Sequence, residues 1–377
     1  KIQASELPHS TMSMFLENRL NERLKQAYKD EAEKLNVEEE EVERCPKLAL
    51  RQVASMDRTH HVRDLFKERY KNFPAEFPVK SKCVCLFQNI DGQDVILFAM
   101  YVYEYGHKCP APNQRRVYIS YLDSVHYLRP RQYRTLIYHE IIISYLDYVK
   151  RRGFHSAHIW ACPPLKGDDY IFHIHPTDQK TPKDDKLRKW YADLLQIGMD
   201  RGIVVETKDL YAEYLKDPTL PATCLPYFDG DYIASEAEVI IKDLKAGKLT
   251  VDIPAEKKEE EEKEKEEEGG GADSKDKAKH KAKTRRPTRS TGVKLTDQRG
   301  ERDPIMTKLA SIIEPMKEAF FVCRLHPKEY ADECAARRVE EIKDEEKNAE
   351  TEKKKAEALK EEALSGKMDI NVPKASS

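Results

Sequence analysis

Apolar positions recur along this chain with two periods, and those periods predict its elements. Over 11–35 (TMSMFLENRLNERLKQAYKDEAEKL), Met14, Leu16, Leu20, Leu24 and Tyr28 keep near-helical spacing, with Ser10 or Thr11 as cap. The stretch 36–80 fits neither period well; Val53–Met56 reads as a short strand ahead of a mobile loop rich in Asp, Arg and His. Cys83–Gln88 and Asp94–Tyr103 are strands flanking Asn89–Gly92, a hairpin signature in which Asp-Gly supplies positive φ. A strand follows at Arg116–Leu122, then a helix over Pro130–Arg152 with Gly153 as its stop. His158–Cys162 is a short strand ended by Pro163 and Pro164; Lys186–Arg201 is a helix closed by Gly202, and Ile203–Thr207 a further strand. An antiparallel meander thus runs into a β-α-β-α-β pattern, which predicts an α/β (α+β) fold with a central mixed sheet flanked by helices.

Composition changes that picture at two places. Charged residues reach 36%, yet 66 Lys and Arg nearly cancel 68 Asp and Glu. The balance hides segregation: an acidic run (257–268), a Gly269–Gly271 break and a basic run (275–289) follow one another, and 336–366 is mostly Glu, Lys and Ala. Segments so poor in apolar residues cannot offset the entropy of ordering. The chain therefore divides into a main core (1–251), a disordered charged loop (252–302), a returning helix and strand (303–328) and a charged helical or disordered tail (329–377).

Eight cysteines are scattered without a CxxC pair, which points to reduced thiols in a cytosolic or nuclear setting. No apolar run approaches the roughly 20 residues that cross a bilayer, so no membrane partner is expected. The chain opens at Lys1 rather than Met, so it is expected to be excised from something longer.

Several chemical patterns fail on inspection. His139-Glu140 lacks the second histidine of a zinc-protease helix, because position 143 is Ile. Asp123, Ser124 and His126 lie too close on an extended segment to converge as a hydrolase triad. His173 and His175 alternate on one side of an extended run without an evident third ligand, so no metal is expected. Neither a Walker A loop nor GxGxxG occurs.

Five long, unusual runs remain: PNQRRVYISYLDSV (112–125), HIWACPP (158–164), GDDYIFH (167–173), KWY (189–191) and LPYFDGD (225–231). In this order and spacing they resemble the acetyltransferase domain of the CREB-binding-protein family, over about 10–325 and most strongly over 83–232. The resemblance implies a histone and protein lysine acetyltransferase that uses acetyl-coenzyme A and acts as a transcriptional coactivator in the nucleus. Histones, other lysine-rich proteins and transcription factors would be its partners, without sequence-specific nucleic-acid binding, and the chain would be a monomer. It also implies that the lysine-rich loop becomes self-acetylated.

By the same resemblance, Leu122, Asp123 and Ser124 lie along the coenzyme, and Arg134 and Thr135 clamp its pyrophosphate from a helix start. Thr181, Lys186 and Trp190 complete that set. Trp160 shapes a lysine tunnel with Tyr138, and Tyr191 is the general acid, its phenol protonated at neutral pH. Read without the family, both tryptophans are core residues, Tyr191 is a helix tyrosine anchoring its hydroxyl, and Arg134 is a solvated helix charge.

Two departures from the family stand out. Lys186 replaces an arginine, which keeps the charge but loses bidentate geometry. Nothing after Leu325 matches the family's acidic substrate segment, leaving Asp229 and Ser81 to supply that pocket. The second reading is accordingly a catalytically weak or inactive acetyl-coenzyme-A-binding coactivator scaffold.

Overall fold

Four strands, β1 (Leu48–His61), β2 (Glu76–Ile90), β3 (Gln93–Tyr105) and β4 (Arg116–Ser124), form an antiparallel meander. The computed structural model, which describes residues 3–163, 170–217, 219–249 and 303–364, extends this meander with β5 (Ser156–Trp160), β6 (Glu206–Asp209) and β7 (Phe320–Arg324). The sheet order is β1-β2-β3-β4-β5-β7-β6. Only β4 and β5 pair in parallel, which makes the sheet mixed as expected. The charged loop 252–302 and the tail beyond Leu364 lie outside the described residues.

The Asn89–Gly92 turn forms as its sequence dictates, with Asp91 and Gly92 at φ 51° and 81°. Both flanking strands are longer than the apolar runs suggested, because each added residue finds a partner across the ladder. The larger correction is at β1. A short strand and a mobile loop were expected, but Leu48–His61 pairs with β2 along its length, interrupted by a bulge at Val53. Its outer half is polar and exposed, so the apolar signal was missing; pairing with β2 supplies what local preference does not.

Helices cover both faces of the sheet. On one face lie α1 (Thr11–Leu35), α3 (Arg134–Arg151) and α4 (Asp184–Asp200). Every residue from Ile137 to Val149 of α3 is buried, and each large apolar side chain among them contributes about 1.5–3 kcal/mol. α3 ends at Arg151, one residue before the expected Arg152, with Gly153 as the stop: Gly153 takes φ 80°, and the Phe154 amide reaches back to the Val149 carbonyl. On the opposite face pack α2 (Asp64–Arg69), α5 (Tyr232–Lys245) and α6 (Pro304–Ile313) around Phe77, Tyr105, Phe228 and Leu309.

Two strands shift from their expected places. The strand expected at Ile203–Thr207 is β6, Glu206–Asp209, and β7 lies between β5 and β6, antiparallel to both. The sequence marks β7 only by Phe321-Val322, and its place between β5 and β6 follows from the return of the chain after 302. The last helix, α7 (Lys328–Leu364), is neither wholly solvated nor disordered where it begins. Tyr330 stacks on His326 at 4.2 Å, Cys334 is buried, and Lys108 meets Glu345 at 3.4 Å. From Val339 to Lys360 every side chain is exposed.

Candidate active site

The site begins with a divergence of two strands. β4 and β5 pair only from Arg116/Ser156 to Ile119/Ile159, whereas β3 holds β4 as far as Ser124. Beyond Ile119 no described strand lies on the β5 side of β4. Leu122, Asp123 and Ser124 therefore line an opening in the sheet, each half-buried.

Asp123 is held there by four donors. Its Oδ2 accepts from the Ile171 and Phe172 amides at 3.0 and 2.9 Å. Its Oδ1 accepts from the Ser124 amide at 2.9 Å and faces His175 Nε2 at 2.6 Å. A carboxylate with this many partners fixes the 170–175 loop against the end of β4. His175, considered above only as a metal ligand, is thus Asp123's partner. Among the described residues, no group of three His, Cys, Asp or Glu is placed to hold a metal ion.

Aromatic rings surround the opening. Tyr121, on β4, is exposed and lies 5.7 Å from the Tyr170 ring, and the Tyr170 hydroxyl donates to the Cys162 carbonyl at 3.2 Å. Trp160 ends β5, stacked on Phe320 at 5.8 Å and 6°. From α4, Tyr191 packs edge-on to Trp190 at 5.1 Å and against Phe321 at 6.1 Å. Trp190 meets His139 of α3 at 4.5 Å, and burial holds that imidazole neutral, near pKa 4.

Tyr191 is buried, and its hydroxyl makes no hydrogen bond to a described residue. Burial, with the Tyr170 phenol nearby, pushes its pKa well above the ordinary tyrosine value. The phenol is protonated at any physiological pH.

The 3-10 turn Arg131–Tyr133 runs straight into α3, so Arg134 and Thr135 stand in the first turns of one helical stretch. Arg134 is half-buried with no described carboxylate paired to it, and Thr135 is exposed. Lys186, in the first turn of α4, and Thr181 just before it are exposed as well. These groups and the β4 opening come from the same two helices and one strand end.

Two expected site residues fall elsewhere. Tyr138 is buried, stacked on Phe98 at 5.0 Å, and its hydroxyl donates to the Leu97 and Val125 carbonyls. It belongs to the α3-side core, whereas Trp160 packs on the α5 and α6 side, so the structure does not bring the two together. Tyr121 and Tyr170 occupy the position beside the opening instead. Their signal in sequence was faint, since tyrosine in a strand reads as ordinary β preference. Ser81 is 1% exposed, paired across the sheet with Met56 on one side and Tyr103 on the other. Asp229, by contrast, is half-exposed, 3.5 Å from His60 Nδ1, in a turn whose next residue, Gly230, passes close to the Tyr121 hydroxyl.

Comparison with known proteins adds a second line of evidence. The family described as "Histone acetyltransferase domain KAT3" matches residues 35–338. That match runs past Leu325, where the sequence reading ended the resemblance, and takes in the docked turns of α7. The chain is 42% identical over 340 residues to the probable histone acetyltransferase HAC-like 1 of Oryza sativa subsp. japonica, covering 85% of this chain and 19% of that protein. It is 41% identical over 339 residues to histone acetyltransferase HAC1 of Arabidopsis thaliana, covering 86% and 19%. To protein cbp-1 of Caenorhabditis elegans it is 45% identical over 246 residues, covering 64% and 12%. The chain spans about a fifth of the length of the first two relatives.

Proposed function

The chain belongs to the KAT3 family of histone acetyltransferase domains, and from that premise we propose that it catalyses acetyl transfer from acetyl-coenzyme A to lysine amines of histones and other basic proteins. Nuclear action as a transcriptional coactivator, with transcription factors as partners, belongs to the same proposal. The observation that carries it is the divergence of β4 from β5, with the buried, protonated Tyr191 near Tyr170, which lies beside the β4 ring Tyr121.

Residues of the site fit the coenzyme. The unpaired side of β4 from Ser120 to Ser124 offers backbone groups to an extended pantetheine amide chain. Arg134, Thr135 and Lys186 offer donors and positive charge to phosphates at one end. Bound there, acetyl-coenzyme A supplies an activated thioester carbonyl. Tyr121, Tyr170 and Trp160 flank the approach of an amine, and Asp229 at the rim favours lysines next to the target.

In the transfer, the substrate nitrogen forms a bond to the carbonyl carbon as the carbon–sulfur bond breaks. Tyr191 gives its hydroxyl proton to the departing sulfur, and the proton lost by the amine returns the phenol to its starting state by way of solvent. A raised phenol pKa suits this role, because the group is held in its donor form. In this reading the amine loses its proton to solvent without a dedicated base.

Incubation of the purified chain with acetyl-coenzyme A and a lysine-rich histone peptide tests the proposal. Mass spectrometry should find acetylated lysines. Coenzyme binding without any acetylated product would support the scaffold reading in its place.

A further inference from the structure

The segment that joins β4 to α3, residues 125–130, connects the coenzyme-facing strand end to the helix carrying Arg134 and Thr135. It is a loop, and its precision has to come from elsewhere. Two glutamine side chains provide it. Gln88, on β2, is 1% exposed; its Nε2 donates to the Arg129 carbonyl at 2.6 Å, and its Oε1 accepts from the Arg129 amide at 3.0 Å. Gln179, from the stretch before α4, does the same at the other end. Its Nε2 donates to the Ser124 carbonyl at 2.8 Å, and its Oε1 accepts from the His126 amide at 3.0 Å.

Each carboxamide therefore serves one backbone donor and one backbone acceptor, as a neighbouring strand would. No other side chain type offers both in one plane at this reach except Asn, which is one methylene shorter. The two latches come from separate elements, β2 and the segment ahead of α4, and grip opposite ends of the same connection.

We propose that Gln88 and Gln179 are positioning residues for coenzyme binding: together they set the path of 125–130, and so the placement of Arg134 and Thr135 relative to Leu122–Ser124. Neither needs to touch the ligand. The inference rests on the coenzyme reading above and deepens it. Loosening the connection lets the phosphate-facing groups drift from the strand edge, so binding weakens without a change in the proton donor on α4.

The test uses the whole chain with Gln179→Glu and Gln88→Glu, which replace the donating NH2 by an oxygen facing a carbonyl, and Gln179→Met, which removes both bonds at similar length. Coenzyme A binding is measured directly by calorimetry, and steady-state constants are measured with acetyl-coenzyme A and peptide. Each Glu variant should weaken coenzyme binding about tenfold, the scale of one or two net hydrogen bonds. Peptide KM and kcat at saturating coenzyme should stay within about twofold. Hydrogen exchange at the His126 and Arg129 amides should quicken in the matching variant only. Gln179 lies half-exposed, so its variants remain informative even where Gln88→Glu fails to fold. Wild-type chain that binds coenzyme A, with Gln179 variants that bind it equally, would overturn the latches and leave the proposed function standing. Wild-type chain that does not bind coenzyme A would overturn both.

Discussion

Tyr191 and Asp229, the two residues proposed above to act on coenzyme and substrate, are held in opposite ways. Tyr191 is buried among Trp190, Phe321 and the α3-side core, and its position is set by packing alone. Asp229 is half-exposed in a turn, 3.5 Å from the His60 imidazole, whose pKa burial lowers. A buried group acts at short range in a low dielectric, where salt has little effect; an exposed charge acts over a distance set by screening. In the proposed function, the buried residue therefore serves chemistry and the exposed one recruitment.

The largest effect should come from the buried side. Tyr191→Phe removes only a hydroxyl that no described residue holds, so the fold should be unaffected. We expect kcat to fall about 10²–10⁴-fold, the usual contribution of a general acid, with little change in coenzyme affinity. An unaltered kcat would remove Tyr191 from the reaction and with it half of the comparison.

Next comes a contrast within one turn. Asp231 lies two residues beyond Asp229 but is fully buried, and burial raises its carboxyl from the ordinary 3.8 to about 7. Below the unfolded value the acid is neutral in both states and its burial costs no ionisation. As pH rises towards 7 the unfolded chain ionises first, so stability falls across that window. Asp231→Asn should flatten this part of the pH profile in thermal melts from pH 4 to 7. A profile with the same slope in the variant would show that another group is responsible.

Smaller effects belong to the surface. Truncation after Lys328 removes the Tyr330 stack and buried Cys334, and should cost about 1–3 kcal/mol of stability. Truncation after Lys347 removes, among the described side chains, only the exposed ones up to Lys360 and should leave the melting temperature where it was. Equal melting temperatures for both would mean that the docked turns of α7 add nothing. Smallest of all, Asp229→Asn should raise KM for a basic peptide by about twofold to fivefold, the range of an exposed charge pair.

The fold was legible where local pattern and tertiary need agree. The Asp91-Gly92 turn, the helix ending before Gly153 and the helix closed by Gly202 were all legible in the sequence. β1 was not legible, because its outer half has no apolar alternation and exists through pairing with β2. The placement of β7 between β5 and β6 depends on contacts across a long sequence gap, which no local window contains. Of the runs that carried the site reading, 112–125 and 158–164 fall on the ends of β4 and β5, and 189–191 on α4. They could not separate Tyr138, whose hydroxyl is bound to core carbonyls, from Tyr121, which opens on the site. The same limit hid Gln88 and Gln179, since a glutamine's value lies in which backbone groups it reaches.

The division of the site between chemistry and recruitment is tested most directly by one set of steady-state measurements. Wild type, Tyr191→Phe and Asp229→Asn would be assayed on a basic histone peptide at low and at physiological salt, with kcat and peptide KM resolved. The account predicts that Tyr191→Phe lowers kcat by the same factor at both salts and leaves peptide KM nearly unchanged. It predicts that Asp229→Asn raises peptide KM at low salt, leaves kcat alone and loses its effect as screening shortens to about 8 Å. A salt-dependent kcat defect in Tyr191→Phe, or an Asp229→Asn defect that appears in kcat and persists in salt, would contradict it.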